Sequence, residues 1–297
     1  MPQPAGPGGA PDRPAAAAAD GGGPFGPGPS RPLVLGASVQ GAAHARRGIA
    51  CQDAFAWALL PGAGAVAAVA DGAGSARWAD AGARSAVEAA VSAAGEHGCP
   101  SPAGMAATRG GLGDSRPALA HAVSAAACAA AEAVRVRAAD LGARPREFAC
   151  TLLVVLWAAG NVAVAHVGDG AVVALRQGGG WEVLSEPAAG EYVNETHFLT
   201  DTGWRAHLRI ATPEAAYEGV VAMSDGCQRA ALLRGPDGRH RAFPGFLDPL
   251  GRFARRQAEG QGGGGAEIGR LLASPKLSRI SDDDRTLVLL WRGAGDG

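Results

Sequence analysis

Between Thr151 and Leu184 the chain reads TLLVVLWAAGNVAVAHVGDGAVVALRQGGGWEVL. Four short apolar runs, Thr151–Trp157, Val162–Val167, Ala171–Leu175 and Trp181–Leu184, are separated by gaps no longer than a turn. That spacing predicts an antiparallel meander. A doubly wound parallel sheet would need a crossover helix between neighbouring strands, and none fits here. The uncharged stretch from Phe148 to Ala165 is nearly long enough to span a bilayer. Gly160-Asn161 cuts it into two strand-length pieces rich in valine and leucine, so it reads as a hairpin.

Outward from this core, strands are expected near Leu33–Val39 and Ala54–Leu60, and in the run that ends at Asp71. From Ser75 to Ala94 the apolar spacing turns helical, with Ala83, Val87, Ala90, Val91 and Ala94 on one face. A Gly/Pro-rich loop covers Gly95–Arg116. Pro117 then opens an Ala-rich helix to Leu141, with Leu119, Val123, Ala126, Ala130 and Val134 on one face. Beyond the central stretch come strands near Ala206–Ile210 and Gly219–Met223. Helices within Phe246–Gln257 and Ala266–Ala273 follow, separated by Gly262–Gly265, and a last strand spans Leu287–Trp291. Helix pairs alternating with antiparallel strands imply an α+β fold with sheets packed together and helices outside. Residues 1–30, mostly Gly, Pro and Ala, lack the apolar area to pack and read as a disordered tail. Residues 31–293 read as one domain.

The 297 residues carry a formal net charge of -1. No general attraction to nucleic acid or to an anionic membrane follows from that balance. Lys276 is the only lysine, which disfavours P-loop and Schiff-base chemistry, because both require a positioned lysine. Arginine, which supplies the remaining cations, makes better bidentate contacts to phosphate. Cys51, Cys99, Cys128, Cys150 and Cys227 are odd in number and widely spaced, without a Cys-x-x-Cys pair. A reduced, cytoplasmic setting is the simplest account, and no secretory signal is evident. Cys227 has the position of a nucleophile but no histidine near it, and reads as a buried packing residue.

Three apolar runs end in an acid followed by glycine: Val66–Gly72, Val162–Gly170 and Val220–Gly226. A fourth cluster, Asp282-Asp283-Asp284, precedes the final strand. Asp-Gly is also a turn dipeptide, and at Asp20, Asp237 and Asp296 no strand-like run precedes it. A carboxylate at the end of a buried strand is poorly solvated and needs a compensating partner. Several such ends at one sheet edge would make an oxygen-rich pocket for hard divalent cations.

Six elements stand in order across residues 34–292: Gln52-Asp53-Ala54-Phe55, Asp71-Gly72-Ala73-Gly74, Thr151-Leu152-Leu153, Gly168-Asp169-Gly170, Ser224-Asp225-Gly226 and Asp283-Asp284-Arg285-Thr286. Together they resemble the PPM-type metal-dependent serine/threonine protein phosphatases, the phosphatase 2C family, in their bacterial form. The resemblance implies a four-layer α-β-β-α sandwich with two Mg²⁺ or Mn²⁺ ions at one end of the paired sheets. Position by position, Asp71 resembles the carboxylate that bridges both metals, and Gly72 the residue that lends a backbone carbonyl. Asp225 and Asp283 resemble further ligands of one metal. Asp53 resembles the acid near the other metal, and Asp169 the acid that holds a weaker third ion. Thr151 resembles a strand position near the site. Where many relatives carry a phosphate-binding arginine, five residues before Asp53, this chain has Gly48; Arg46 and Arg47 are the nearest substitutes. His44 offers a phosphate contact or a general acid. A histidine that some relatives carry just after the Asp-Gly pair is absent, and Asp284 stands where asparagine is common.

The resemblance implies hydrolysis of phosphoserine and phosphothreonine in proteins by a metal-activated water, with Asp53, Asp71 and His44 as catalytic candidates. The implied partner is a phosphorylated protein substrate, in opposition to a serine/threonine kinase. Two other readings remain at this stage: a catalytically weak metal-binding module that recognises a phosphorylated partner, and a small-molecule phosphatase.

Overall fold

The computed structural model describes residues 31–61, 63–97, 115–158, 160–187, 196–260 and 264–293. The tail read at residues 1–30, most of the Gly/Pro-rich loop, Cys99, Asp20 and Asp296 lie outside the described residues. Twelve strands are described: β1 Leu33–Val39, β2 Ala54–Leu60, β3 Gly64–Ala70, β4 Leu152–Ala158, β5 Asn161–Val167, β6 Ala171–Arg176, β7 Trp181–Ser185, β8 Arg209–Ala211, β9 Tyr217–Met223, β10 Leu232–Arg234, β11 His240–Ala242 and β12 Arg285–Trp291. Helices are α1 Ala42–Arg47, α2 Ala79–His97, α3 Arg116–Asp140, α4 Gln228–Ala231, α5 Pro244–Ala258, α6 Gly265–Leu272 and α7 Pro275–Ser278.

Two five-stranded sheets, in the orders β1-β12-β9-β6-β7 and β2-β3-β4-β5-β8, pack face to face. Every pairing within them is antiparallel. Strand β3 shows why its sequence is apolar at every position. Ala65, Ala67 and Val69 point between the sheets, while Val66, Ala68 and Ala70 join the core that α2 covers. With period-two alternation, a strand covered on both faces has no polar side. The same split holds in β12, where Val288 and Leu290 face the other sheet and Leu287, Leu289 and Trp291 face α5 and α6. The layers are therefore α2/α3, sheet, sheet and α5/α6, the four-layer sandwich expected from the sequence. Helix α3 is long and apolar enough to cross a membrane, yet Leu119, Val123, Ala126, Ala130 and Val134 are buried in the core beside the second sheet.

Three expectations are corrected. The four central strands do not form one meander: β4 and β5 pair in one sheet, β6 and β7 in the other. The chain crosses between sheets at Gly168-Asp169-Gly170, where Gly168 has φ +110°, a backbone conformation open mainly to glycine. Helix α2 starts at Ala79 rather than Ser75, because the preceding segment is tied to its neighbour through Ala73 N–H to Ala149 O (2.9 Å) and Trp78 N–H to Glu147 O (2.7 Å). Near Ala206–Ile210 the chain makes a 3₁₀ turn, Trp204–His207, before the short edge strand β8.

Candidate metal centre

Strand register carries the acids to one end of the sandwich. Ala54 pairs with Ala70, which sets Asp53 and Asp71 side by side just beyond β2 and β3. In the facing sheet Met223 lies opposite both Leu287 and Ala171. Asp225 beyond β9, Asp169 before β6 and Asp283 before β12 therefore collect at that same end. Glycine serves close packing there: a Cβ on Gly226 would lie 1.9 Å from the carbonyl oxygen of Asp284.

Of these acids Asp53 is buried, Asp71, Asp169 and Asp225 are half-buried, and Asp283 is exposed. Asp53 is 8% exposed. Burial is the main cause that lifts its carboxyl from the ordinary 3.8 to about 7; hydrogen bonds from Ser224 and Thr286 work against this, and the charges of Asp284 and Asp225 add to it. Asp71 is held well above the ordinary range by burial, then by the charges of Asp53, Asp225 and Asp169. Asp225 is raised to about 6 by burial, Asp169 and Asp283. The charges named for all three carboxylates are those of other acids.

Polar neighbours fix the ring without satisfying it. Ser224 Oγ donates to Asp53 Oδ2 (2.7 Å) and accepts from Thr286 N–H (3.0 Å). Thr151 Oγ1 accepts from Asp71 N–H (3.0 Å), and Thr151 N–H donates to Asp71 O (2.8 Å), a structural duty. Gly72 N–H donates to Gln52 O (3.2 Å), which draws the two acid-bearing segments together. Asp169 Oδ2 accepts from Thr196 Oγ1 (2.7 Å), and its carbonyl accepts from Gln228 Nε2. Asp53 Oδ1 and Asp225 Oδ1 are buried with no hydrogen-bond partner. Buried orphan acceptors are rare in folded proteins and call for a partner of another kind. Among the described residues no three His, Cys, Asp or Glu side chains stand at metal-ligand spacing. The donor set of hard oxygens without thiolate or imidazole suits Mg²⁺ or Mn²⁺, which would neutralise the orphan oxygens.

His44 does not stand free as a general acid. It is 7% exposed, and its Nδ1 lies 2.8 Å from Asp284 Oδ2. Asp284 also accepts from Gly41 N–H and Gln52 N–H, each at 2.6 Å. The carboxylate at this position thus bolts α1 to the Asp53 segment, a role with a physical need for its two oxygens. Arg46 is exposed and paired with Asp282 at 2.9 Å; Arg47 is exposed on the same short helix. Cys227 is 1% exposed and burial pushes its thiol up, which leaves it as core rather than nucleophile. Ser224, Thr286, Gln52, Thr196 and Gln228 carried no role in the sequence reading. Their partners are remote in sequence; Ser224, Gln52 and Thr286 stood in the quoted acid motifs, whereas Thr196 and Gln228 offered no cue.

Two face-to-face antiparallel sheets between helix pairs, with acids from both converging at one end, define an α-β-β-α sandwich with an acid-lined edge. The family model described as Protein phosphatase 2C matches residues 40–268, and the chain belongs to that family. Over 148 residues it is 34% identical to Serine/threonine-protein phosphatase 3 of Escherichia coli (strain K12); the match covers 49% of this chain and 57% of that protein. The chain thus spans little more than half the length of this curated relative. Among solved structures it resembles serine-threonine phosphatase 2C from Toxoplasma gondii, with TM-score 0.57 and 15% identity over 89% of this chain and 97% of the other. It also resembles the catalytic domain of the serine threonine protein phosphatase PstP in complex with two manganese ions, with TM-score 0.52 and 17% identity over 89% and 99% of the two chains. At those identities the likeness is one of fold.

Proposed function

We propose that this protein hydrolyses phosphoserine and phosphothreonine in proteins, with two Mg²⁺ or Mn²⁺ ions held by the acid ring. The observation that carries the reading is the pair of buried orphan oxygens, Asp53 Oδ1 and Asp225 Oδ1, on carboxylates held up by burial and by the charges of neighbouring acids. Unlike Asp284, whose two oxygens are satisfied by hydrogen bonds, these carboxylates keep an unsatisfied oxygen that needs a cationic partner. Asp71 and the Gly72 carbonyl would hold the ions together with Asp225, Asp283 and Asp53, the last oriented by Ser224. Asp169 would serve a further, weaker ion. When bound, the ions supply charge neutralisation at the phosphoryl oxygens and a water acidic enough to attack at neutral pH. His44 works through Asp284 as a positioning residue, and Arg47 on the rim of α1 is the candidate to orient substrate phosphate.

Membership of the phosphatase family and the phosphatase relative support a phosphoprotein substrate, and with it an opposing serine/threonine kinase. Cys51, Cys128, Cys150 and Cys227 are free thiols, in keeping with a reduced cytoplasmic setting. The deciding experiment compares phosphopeptides with small phosphate esters under Mn²⁺ titration. Hydrolysis of the phosphopeptides that stops on chelation is the expected result. Turnover that survives chelation, or that is confined to small esters, would overturn the reading.

A further inference from the structure

Among helices α4, α5, α6 and α7 lies a cavity of about 380 Å³ that the proposed chemistry does not use. Leu250 of α5, Ile268 of α6 and Leu277 of α7 form its buried floor. Half-buried Phe246, Phe253 and Leu271 form its walls. The volume lies in the range of small-molecule sites, roughly 300–1,000 Å³. Its charged edge is asymmetric. Arg229 of α4 and Lys276, the chain's only lysine, both line it. Glu267, the one acid there, lies 3.5 Å from Arg270. Among the described residues neither Arg229 nor Lys276 has an acidic partner, so the surplus at the mouth is positive. An apolar body with two unpaired cations at its edge matches a ligand with an apolar chain and one anionic head.

The walls also belong to the acid-bearing segments. Arg229 and Ala230 continue directly from Asp225-Gly226-Cys227, and Gln228 between them holds the carbonyl of Asp169. On the other side Leu277 and Ile280 lead into Asp282-Asp283-Asp284, and Arg285 Nη1 donates to Ser278 Oγ at 3.0 Å. A ligand in the cavity would press on the backs of the two segments that present Asp225 and Asp283.

We propose that this cavity is an effector site for an amphiphilic anion of the size of a medium-chain acyl carboxylate, its tail among the phenylalanines and leucines and its head on Arg229 and Lys276. The effector role rests on the metal-centre reading above; the binding itself does not.

Calorimetry of the full chain with decanoate, in the presence of EDTA, tests the binding. Saturable binding at one site is expected, with decanol and decyltrimethylammonium weaker by about tenfold or more for want of the charge-assisted contacts. Leu271→Trp, which fills the cavity, should abolish the binding. The double variant Arg229→Gln/Lys276→Gln, whose side chains lie at the edge and leave the core intact, should weaken it about tenfold. Mn²⁺ binding, measured by calorimetry with and without saturating decanoate, should shift at least threefold, and Mn²⁺ should shift decanoate affinity by the same factor. Absence of saturable decanoate binding, or equal binding of decanol, would overturn the site. Tight decanoate binding with superimposable Mn²⁺ titrations would overturn the effector role. Failure of the untreated protein to bind Mn²⁺ would instead overturn the metal reading, whatever decanoate does.

Discussion

Asp53, Asp71 and Asp225 hold their protons more tightly in the folded chain than in the unfolded one, because burial and mutual repulsion both oppose their ionisation. Without metal the folded state therefore binds more protons than the unfolded state from about pH 4, the ordinary carboxylate value, up to about 7 for Asp53 and about 6 for Asp225. Stability must fall as pH rises through that window. In EDTA the melting temperature should be higher at pH 5 than at pH 8, by an amount equivalent to a few kcal/mol, and saturating Mn²⁺ should reverse the order. A melting temperature in EDTA that rises with pH would contradict it. Asp71→Asn and Asp225→Asn should each remove nearly all Mn²⁺-dependent turnover, yet raise metal-free stability at pH 8, because each deletes a poorly solvated charge near others of its sign. Full turnover by either variant would sink the dinuclear assignment. Ser224→Ala removes the hydroxyl that orients Asp53 and strands Thr286 N–H, so unfolding free energy should drop by about 1–3 kcal/mol. The acids themselves were legible in the sequence, because strand-Asp-Gly is a local pattern. Their orienting partners were not: Ser224 and Asp53 are separated by 171 positions, and nothing local links a serine to an aspartate that far away.

At the scale of elements, the hairpins β4–β5 and β6–β7 were legible as strands from their apolar runs, while the sheet each joins was not. Both hairpins have the same alternation, and the switch between sheets depends on the backbone at Gly168 and on what holds the crossover. That crossover carries Asp169, so its anchors matter for the site. Arg209 Nη2 donates to Gly168 O at 2.9 Å, and Thr196 and Gln228 hold Asp169 from two other segments. Helix α1 and the hairpin β10–β11 were missed as well, since six- and three-residue elements are too short for a period to register. Asp169→Ala leaves those strands untouched. It should preserve two tightly bound Mn²⁺ ions by calorimetry, cut turnover, and raise the Mn²⁺ concentration required for activity. Superimposable Mn²⁺ titrations of turnover for this variant and wild type would reduce Asp169 to a turn residue. Gln228→Ala should move the titration in the same direction by a smaller factor, because it loosens the carbonyl of Asp169 and leaves the carboxylate in place.

For the whole molecule, the two apolar faces of each sheet are what the chain must cover, and β1 marks where that covering begins. Its seven residues pair with β12 from Leu33↔Trp291 to Val39↔Arg285, and it packs against α6. The same segment leads into Gly41, whose N–H is held by Asp284. Residues 1–30, by contrast, contain Phe25 as their only aromatic and little else to bury. Two truncations should therefore behave oppositely. A chain that starts at residue 31 should melt within about 2 °C of the full chain and keep its turnover, since that shift corresponds to well under 1 kcal/mol. A chain that starts at residue 41 loses the strand that covers β12, exposes Leu287 and Leu289 of the helix-facing core, and leaves a long apolar edge open to association. It should be insoluble or aggregate on purification. The two outcomes are read from melting curves and size-exclusion profiles. A large fall in melting temperature for the first truncation would show that the tail packs on the domain, and a stable monomer from the second would show that β1 is dispensable to the sandwich.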